Sequence, residues 1–133
     1  MKLKSQVEGL AVAVIVATAA LAKDTLVKLT GDKTVDKAGA NAVVIGRLVK
    51  PARDANGSGT VETKFKELIT IKASGAIAAG DRVKMAAADG GGIQRVAKWI
   101  SQTDLVAGDN AETLFGVCFV GGADGADIQV LTY

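Results

Sequence analysis

Residues 61–72, Val-Glu-Thr-Lys-Phe-Lys-Glu-Leu-Ile-Thr-Ile-Lys, carry the plainest periodicity in the chain. Val61, Thr63, Phe65, Ile69 and Ile71 fall on one face together with Glu67. Glu62, Lys64, Lys66, Leu68, Thr70 and Lys72 fall on the other. Successive side chains of a strand point to opposite sides, so a period of two predicts one extended strand with a buried face.

The same reading extends along the chain. Leu26 to Leu29 stops before Thr30-Gly31-Asp32, Ala42 to Val49 stops at Pro51, and the 61–72 run stops before Ser74-Gly75. Further strands are predicted at Arg82 to Ala86, Ile93 to Trp99, Thr113 to Val120 and Asp127 to Thr132. Ser101 to Ala111 offers at most one short helix, with Asp104 as a candidate N-cap and Gly108-Asp109-Asn110 as its stop. These elements predict an all-β protein, a small barrel or sandwich.

Two segments repeat faintly. Leu21-Ala22-Lys23-Asp24-Thr25-Leu26-Val27-Lys28-Leu29 resembles Ile77-Ala78-Ala79-Gly80-Asp81-Arg82-Val83-Lys84-Met85, and Ile45-Gly46-Arg47-Leu48-Val49 resembles Phe115-Gly116-Val117-Cys118-Phe119. Two related β units closed on each other account for the echo, as does chance coincidence of short Val and Gly segments.

Composition bounds the chemistry. The 133 residues suit one β domain over 17–133, with 1–16 as an N-terminal strand or arm. There is no His and one Cys, which removes His-containing zinc sites, Cys-rich clusters and His-activated nucleophiles. No enzymatic activity, cofactor or metal is expected. Five aromatic residues, Phe65, Phe115, Phe119, Trp99 and Tyr133, leave little for base stacking. Net charge is +2, yet residues 1–66 carry 11 basic and 6 acidic side chains and residues 67–133 carry 5 and 8. No dense basic stripe accompanies the split, so nucleic acid is not an expected partner.

The remaining motifs read as structure. Asp89 followed by Gly90-Gly91-Gly92 matches no phosphate-binding pattern and suits a hairpin turn. The aspartates cluster in turns, where they cap backbone amides. Cys118 sits within an apolar strand, as a packing residue with an inert thiol. Lys84 lies within a strand rather than at a hairpin tip, unlike a lipoyl or biotinyl lysine, and Trp99 reads as core beside Val96 and Ile100.

At the N-terminus, Lys2 and Lys4 precede the apolar run Leu10 to Ala22, which is too short to cross a membrane as a helix. It reads in two ways: a secretory signal ending in small residues, or a retained strand in which Leu10, Val12, Val14 and Val16 alternate with Ala11, Ala13, Ile15 and Ala17. The interruptions at Gln6, Glu8 and Gly9 favour the strand. As an arm it would add to an exposed sheet edge of a partner, with Lys2, Lys4, Val7, Leu10, Val12, Val14 and Val16 as candidate interface residues. As a strand of its own domain it is ordinary core.

Ala73-Ser74-Gly75-Ala76-Ile77-Ala78-Ala79-Gly80-Asp81-Arg82-Val83 resembles the central segment of the small phage capsid cement, or head decoration, proteins. Val7-Glu8-Gly9 with Ala19-Ala20-Leu21-Ala22, Ala42-Val43-Val44-Ile45-Gly46, Leu114-Phe115-Gly116-Val117 and Ala126-Asp127-Ile128-Gln129-Val130-Leu131 resemble other segments of that family in order. Lys23-Asp24 departs from the Gly-Asp turn expected there. The resemblance implies a non-catalytic virion protein on the outer surface of the head. Its implied partners are the major capsid protein and neighbouring copies of itself as dimer or trimer, with no membrane. The alternative is a secreted or periplasmic β-domain that binds a ligand or surface, with residues 1–22 removed.

Overall fold

The strands form two closed five-stranded barrels in a computed structural model that describes residues 11–16, 20–51, 53–54, 56–63, 66–100 and 111–132. In the first barrel, β1 (Ala11–Val16), β2 (Leu26–Gly31), β3 (Thr34–Lys37), β4 (Gly46–Lys50) and β5 (Ser58–Thr63) close in the order β1-β3-β2-β4-β5. In the second, β6 (Leu68–Ala73), β7 (Arg82–Ala86), β8 (Arg95–Lys98), β9 (Gly116–Val120) and β10 (Asp127–Thr132) close as β10-β6-β8-β7-β9. Among the described residues the helical content is one 3-10 turn, Ala111–Thr113. The all-β expectation is met as two barrels, and the chain divides into two compact units where composition suggests a single domain.

The barrels are topological twins. Each pairs its first and third strands in parallel, Ile15 with Thr34 and Lys72 with Arg95, and its other neighbours antiparallel. Registers match as well. Leu26 faces Arg47 and Val27 faces Gly46 in the first barrel, and Arg82 faces Val117 and Val83 faces Gly116 in the second. A register shift after Leu48 in β4 has its counterpart where β9 meets Gln129 and Val130. The faint sequence echo is therefore the trace of a repeated five-strand unit.

Each core follows from the alternation. Val27, Val35, Leu48 and Val61 point into the first barrel with Val14 and Leu21, and Val12 and Ile45 pack against them. Val83, Val96, Cys118 and Val130 occupy the equivalent places in the second, with Met85, Ile128, Ile77 and Phe115. Burying each such side chain stabilises the fold by roughly 1.5–3 kcal/mol. With so few aromatic residues, small β-branched side chains fill barrels this narrow.

Two expectations need correction. Residues 61–72 form no single strand: β5 ends at Thr63 in the first barrel and β6 starts at Leu68 in the second. Period two records which way side chains face and is silent on whether one strand or two carry it. Glu67, the charge on the apolar face, marks the break. Its N–H donates to Thr132 Oγ1 at 2.9 Å, and the Thr132 N–H donates to its carbonyl at 2.9 Å. Likewise the strand expected from Ala42 begins only at Gly46, because Ala38–Val44 belongs to the second unit. The short helix expected at 101–111 lies largely outside the described residues.

One turn shows how the twins differ locally. Gly80 (φ 91) donates its N–H to the Cys118 carbonyl at 2.8 Å, and Asp24 (φ 71) does the same to Leu48 at 2.7 Å. The turn geometry survives the loss of glycine, at the cost of a left-handed conformation that aspartate tolerates less well. Replacing Asp24 with Gly is expected to stabilise the chain by about 0.5–1 kcal/mol, and Gly80→Ala to destabilise it by about 1 kcal/mol. Urea unfolding midpoints check both; a loss on Asp24→Gly would mean that its ion pair outweighs the backbone strain.

Candidate functional site

On the outer face of the first barrel, β5 and β4 carry charged residues beside the alanines of β1. Glu62 lies between Ala11 and Arg47 in register, and Arg47 Nη2 reaches Glu62 Oε2 at 3.4 Å. Arg47 Nη1 also reaches Asp24 Oδ1 at 3.4 Å. Lys50 continues the charged surface on β4. Half-exposed ion pairs of this kind add little stability, but they keep a barrel wall wetted.

The positions of Glu62, Arg47 and Lys50 are apolar in the second barrel. Leu131 lies between Leu68 and Val117 in register, replacing Glu62 between Ala11 and Arg47. Gly80 stands where Asp24 does, Phe119 where Val49 does, and Val120 where Lys50 does. Phe119 is 55% exposed, Leu68 50%, Val120 48% and Leu131 39%. Beneath them Val130, Ile128 and Cys118 are buried, so these outer side chains are not needed to fill the barrel. The fold does not demand apolar residues at Leu131, Val117 and Val120, since its twin carries Glu62, Arg47 and Lys50 at the equivalent positions. Contiguous exposed apolar side chains mark interaction surfaces far more often than scattered ones do.

Charges border the face: Lys72 and Asp127 lie opposite each other on β6 and β10, and Arg82 lies on β7. Arg82 lies beside Val117 in register and its guanidinium sits 5.7 Å from the centre of the Trp99 ring, which holds it against the surface. Trp99 is thus half-buried at the edge of the wall rather than inside the barrel. The face has an arginine at one end, and the side chains between Leu68 and Val120 across the three strands are Leu, Thr, Gln, Val and Phe.

The sequence-derived interface residues are placed differently. Val14 is buried in the first barrel's core and Val12 packs against it, so neither fills a pocket on a partner. Ala11–Val16 is not an arm: β1 pairs with β5 along its length and with β3 at Ile15 and Val16. The β-branched run is consumed by its own barrel. Lys2, Lys4, Val7 and Leu10 lie outside the described residues, and Val16 takes part through its backbone register with Val35.

Other candidates stay structural. Cys118 is 2% exposed, and burial, helped by the negative charge of Asp81, pushes its thiol pKa up, so the sulfur stays protonated and unreactive. Asp89 Oδ1 accepts the Gly91 and Ile93 N–H groups at 2.8 and 3.0 Å, as a turn-capping aspartate does. The bond from Ile93 foremost holds its carboxyl below the usual range. Among the described residues no group of three or more Cys, Asp or Glu side chains gathers to hold a metal.

Comparison with solved structures locates the fold. The head fiber gp8.5 N base of bacteriophage phi29 matches with a TM-score of 0.56, covering 93% of this chain and 93% of that one at 14% sequence identity. The likeness is one of fold. No protein-family model matches the chain, and no curated protein sequence does.

The face on β6, β10 and β9 is absent from the sequence-level candidates, although a signal for it was present. The echo that aligns Ile45-Gly46-Arg47-Leu48-Val49 with Phe115-Gly116-Val117-Cys118-Phe119 already sets Arg47 against Val117 and Val49 against Phe119. Comparing the repeats position by position exposes the change in polarity.

Proposed function

We propose that the chain is a structural protein of a phage virion, a decoration protein held on the outer surface of the head by the apolar wall of its second barrel. The observation that carries this reading is the fold shared along 93% of both chains with a protein described as a head fiber of bacteriophage phi29. The contrast between the twin walls supports it, because it singles out one surface for a partner and leaves the other for solvent.

The partner is the shell formed by the major capsid protein. Its contact is apolar, to match Leu68, Leu131, Val117 and Phe119, and acidic at the edge, to meet Arg82. No bond is made or broken in this role. A chain without His and with a buried thiol offers surfaces and stiffness, and both suit a cement protein. Bound at many equivalent sites, modest individual contacts accumulate, because each must open for the shell to burst.

Cosedimentation of the full-length protein with expanded heads that lack it tests the proposal, followed by heating of coated and bare heads. Saturable binding with a higher rupture temperature is expected. Absence of binding to every head tried, from a protein shown to be folded, would argue for a β-domain with another partner.

A further inference from the structure

Residues 67–133 hold five basic side chains against eight acidic ones, and all five basic side chains fall on three adjacent strands. Lys72 is on β6, Arg95 and Lys98 are on β8, and Arg82 and Lys84 are on β7. Strands β9 and β10 carry none. Lys98 Nζ reaches Asp81 Oδ1 at 3.6 Å. The other four share the outer face, because Ala73, Val83, Met85 and Val96, which alternate with them, are buried. Lys72 lies beside Arg95 in register, Arg95 beside Ala86, and Lys84 beside Ala97. Lys72, Arg95, Lys84 and Arg82 therefore run as a row across the wall, with successive Cα atoms about 5–8 Å apart. Dispersed over three strands of sequence, the row is visible only once the strands are paired.

The first barrel has no such row. The equivalent positions hold Ile15, Thr34, Lys28 and Leu26, and Lys28 lies beside Asp36 where Lys84 lies beside Ala97. One wall thus balances a single cation with an anion, and the other gathers four cations. Two anions border the row, Asp127 beside Lys72 on β10 and Asp89 in the turn between β7 and β8. The residues among the cations narrow the partner. Ala86 and Ala97 are small and give a protein surface no apolar anchor. The aromatic ring at the end of the row, Trp99, is already engaged by the Arg82 guanidinium, 5.7 Å from its centre, so a nucleobase would have to compete for it.

We propose that this row binds a linear phosphodiester polymer without bases, a polyol phosphate chain laid across β6, β8 and β7. Its phosphates meet Lys72, Arg95, Lys84 and Arg82 in turn, and repeated charge contacts supply the affinity. The row is centred on β8, which pairs with neither β9 nor β10, so the polymer leaves Leu131 and Phe119 uncovered. The inference is therefore independent of head binding.

Fluorescence anisotropy of labelled poly(glycerol phosphate) with the full chain, repeated over a range of salt concentrations, provides the test. Binding at low salt is expected, with log K falling against log salt at a slope of about −3, as four phosphate contacts on a flexible chain imply. Arg95→Gln and Lys72→Gln should each make the slope shallower by about 0.7–1 while keeping the wild-type circular dichroism, and Arg95→Lys should restore it. Arg95 Nε donates to the Ala87 carbonyl at 3.0 Å, so Lys72→Gln reads the row without touching that turn. Lys28→Gln in the first barrel and Leu131→Gln on the apolar wall should bind the polymer as the wild type does. Three outcomes would overturn the proposal: a folded wild type that does not bind at low salt, a slope unchanged in both Arg95→Gln and Lys72→Gln, or tighter binding to a single-stranded oligodeoxynucleotide of equal charge, which would make nucleic acid the partner.

Discussion

Replacing Leu131 with Glu is expected to lower affinity for undecorated heads by at least about 100-fold while leaving the chain folded. Leu131 sits at the centre of the apolar wall, flanked by Leu68 and Val117, and a carboxylate there would be buried against the shell without a partner. The first barrel already carries Glu62 at the equivalent position of the same topology, so the substitution asks nothing new of the fold. The double change Leu131→Glu with Val117→Arg transplants the whole polar pair and guards against a folding artefact. Glu62→Leu, on the other barrel, should bind as the wild type does. A folded Leu131→Glu variant that binds heads normally would remove the docking face from the account.

The second large effect concerns stability. Gly46 and Gly116 lie where β4 and β9 cross closest to β5 and β10. A methyl group on Gly116 would stand 2.7 Å from the Leu131 carbonyl oxygen and 2.7 Å from Val130 Cγ1, and one on Gly46 would collide with the Glu62 carbonyl oxygen. In each case the obstacle includes backbone, which cannot step aside without breaking the barrel seam. Gly46→Ala and Gly116→Ala are each expected to cost about 3 kcal/mol or more. Gly90→Ala, with nothing within 4 Å of the added carbon, should cost less than about 1 kcal/mol. Urea titration measures all three. Equal stabilities would show that the strands do not close as tightly as these contacts require.

Local properties were legible in the sequence, and pairings were not. Alternation at Val27, Val35, Val61, Val83 and Val130 locates inward faces, because a side chain's direction is set by its own backbone. It is silent on which strand lies alongside, so residues 61–72 read as one strand although they end one barrel and begin another. The Ala38–Val44 segment, built from Ala, Gly, Asn and Val, reads as an ordinary approach to a strand. Its place in the second unit is set by the Met85 carbonyl and Gln94, both distant in sequence. Val12 and Val14 show a related ambiguity. A β-branched run declares that it will be covered, not by what, and here its own barrel does the covering.

The candidate docking face was hidden for a different reason. Taken singly, Leu131, Phe119 and Val120 are unremarkable exposed apolar residues, of which any protein has several. They become informative only once the register sets them beside one another and the twin barrel supplies a reference in Asp24, Arg47, Glu62 and Lys50. The repeat acts as an internal control: same strand order, same pairing, different outer wall.

A cryo-electron microscopy reconstruction of heads saturated with this protein tests the central claim most directly. The account predicts that the wall of β6, β10 and β9 lies against the shell, with Leu131 and Phe119 covered by the major capsid protein and the Arg47–Glu62 wall open to solvent. A reconstruction in which the charged wall of the first barrel meets the shell, and Leu131 and Phe119 face outward, would contradict it.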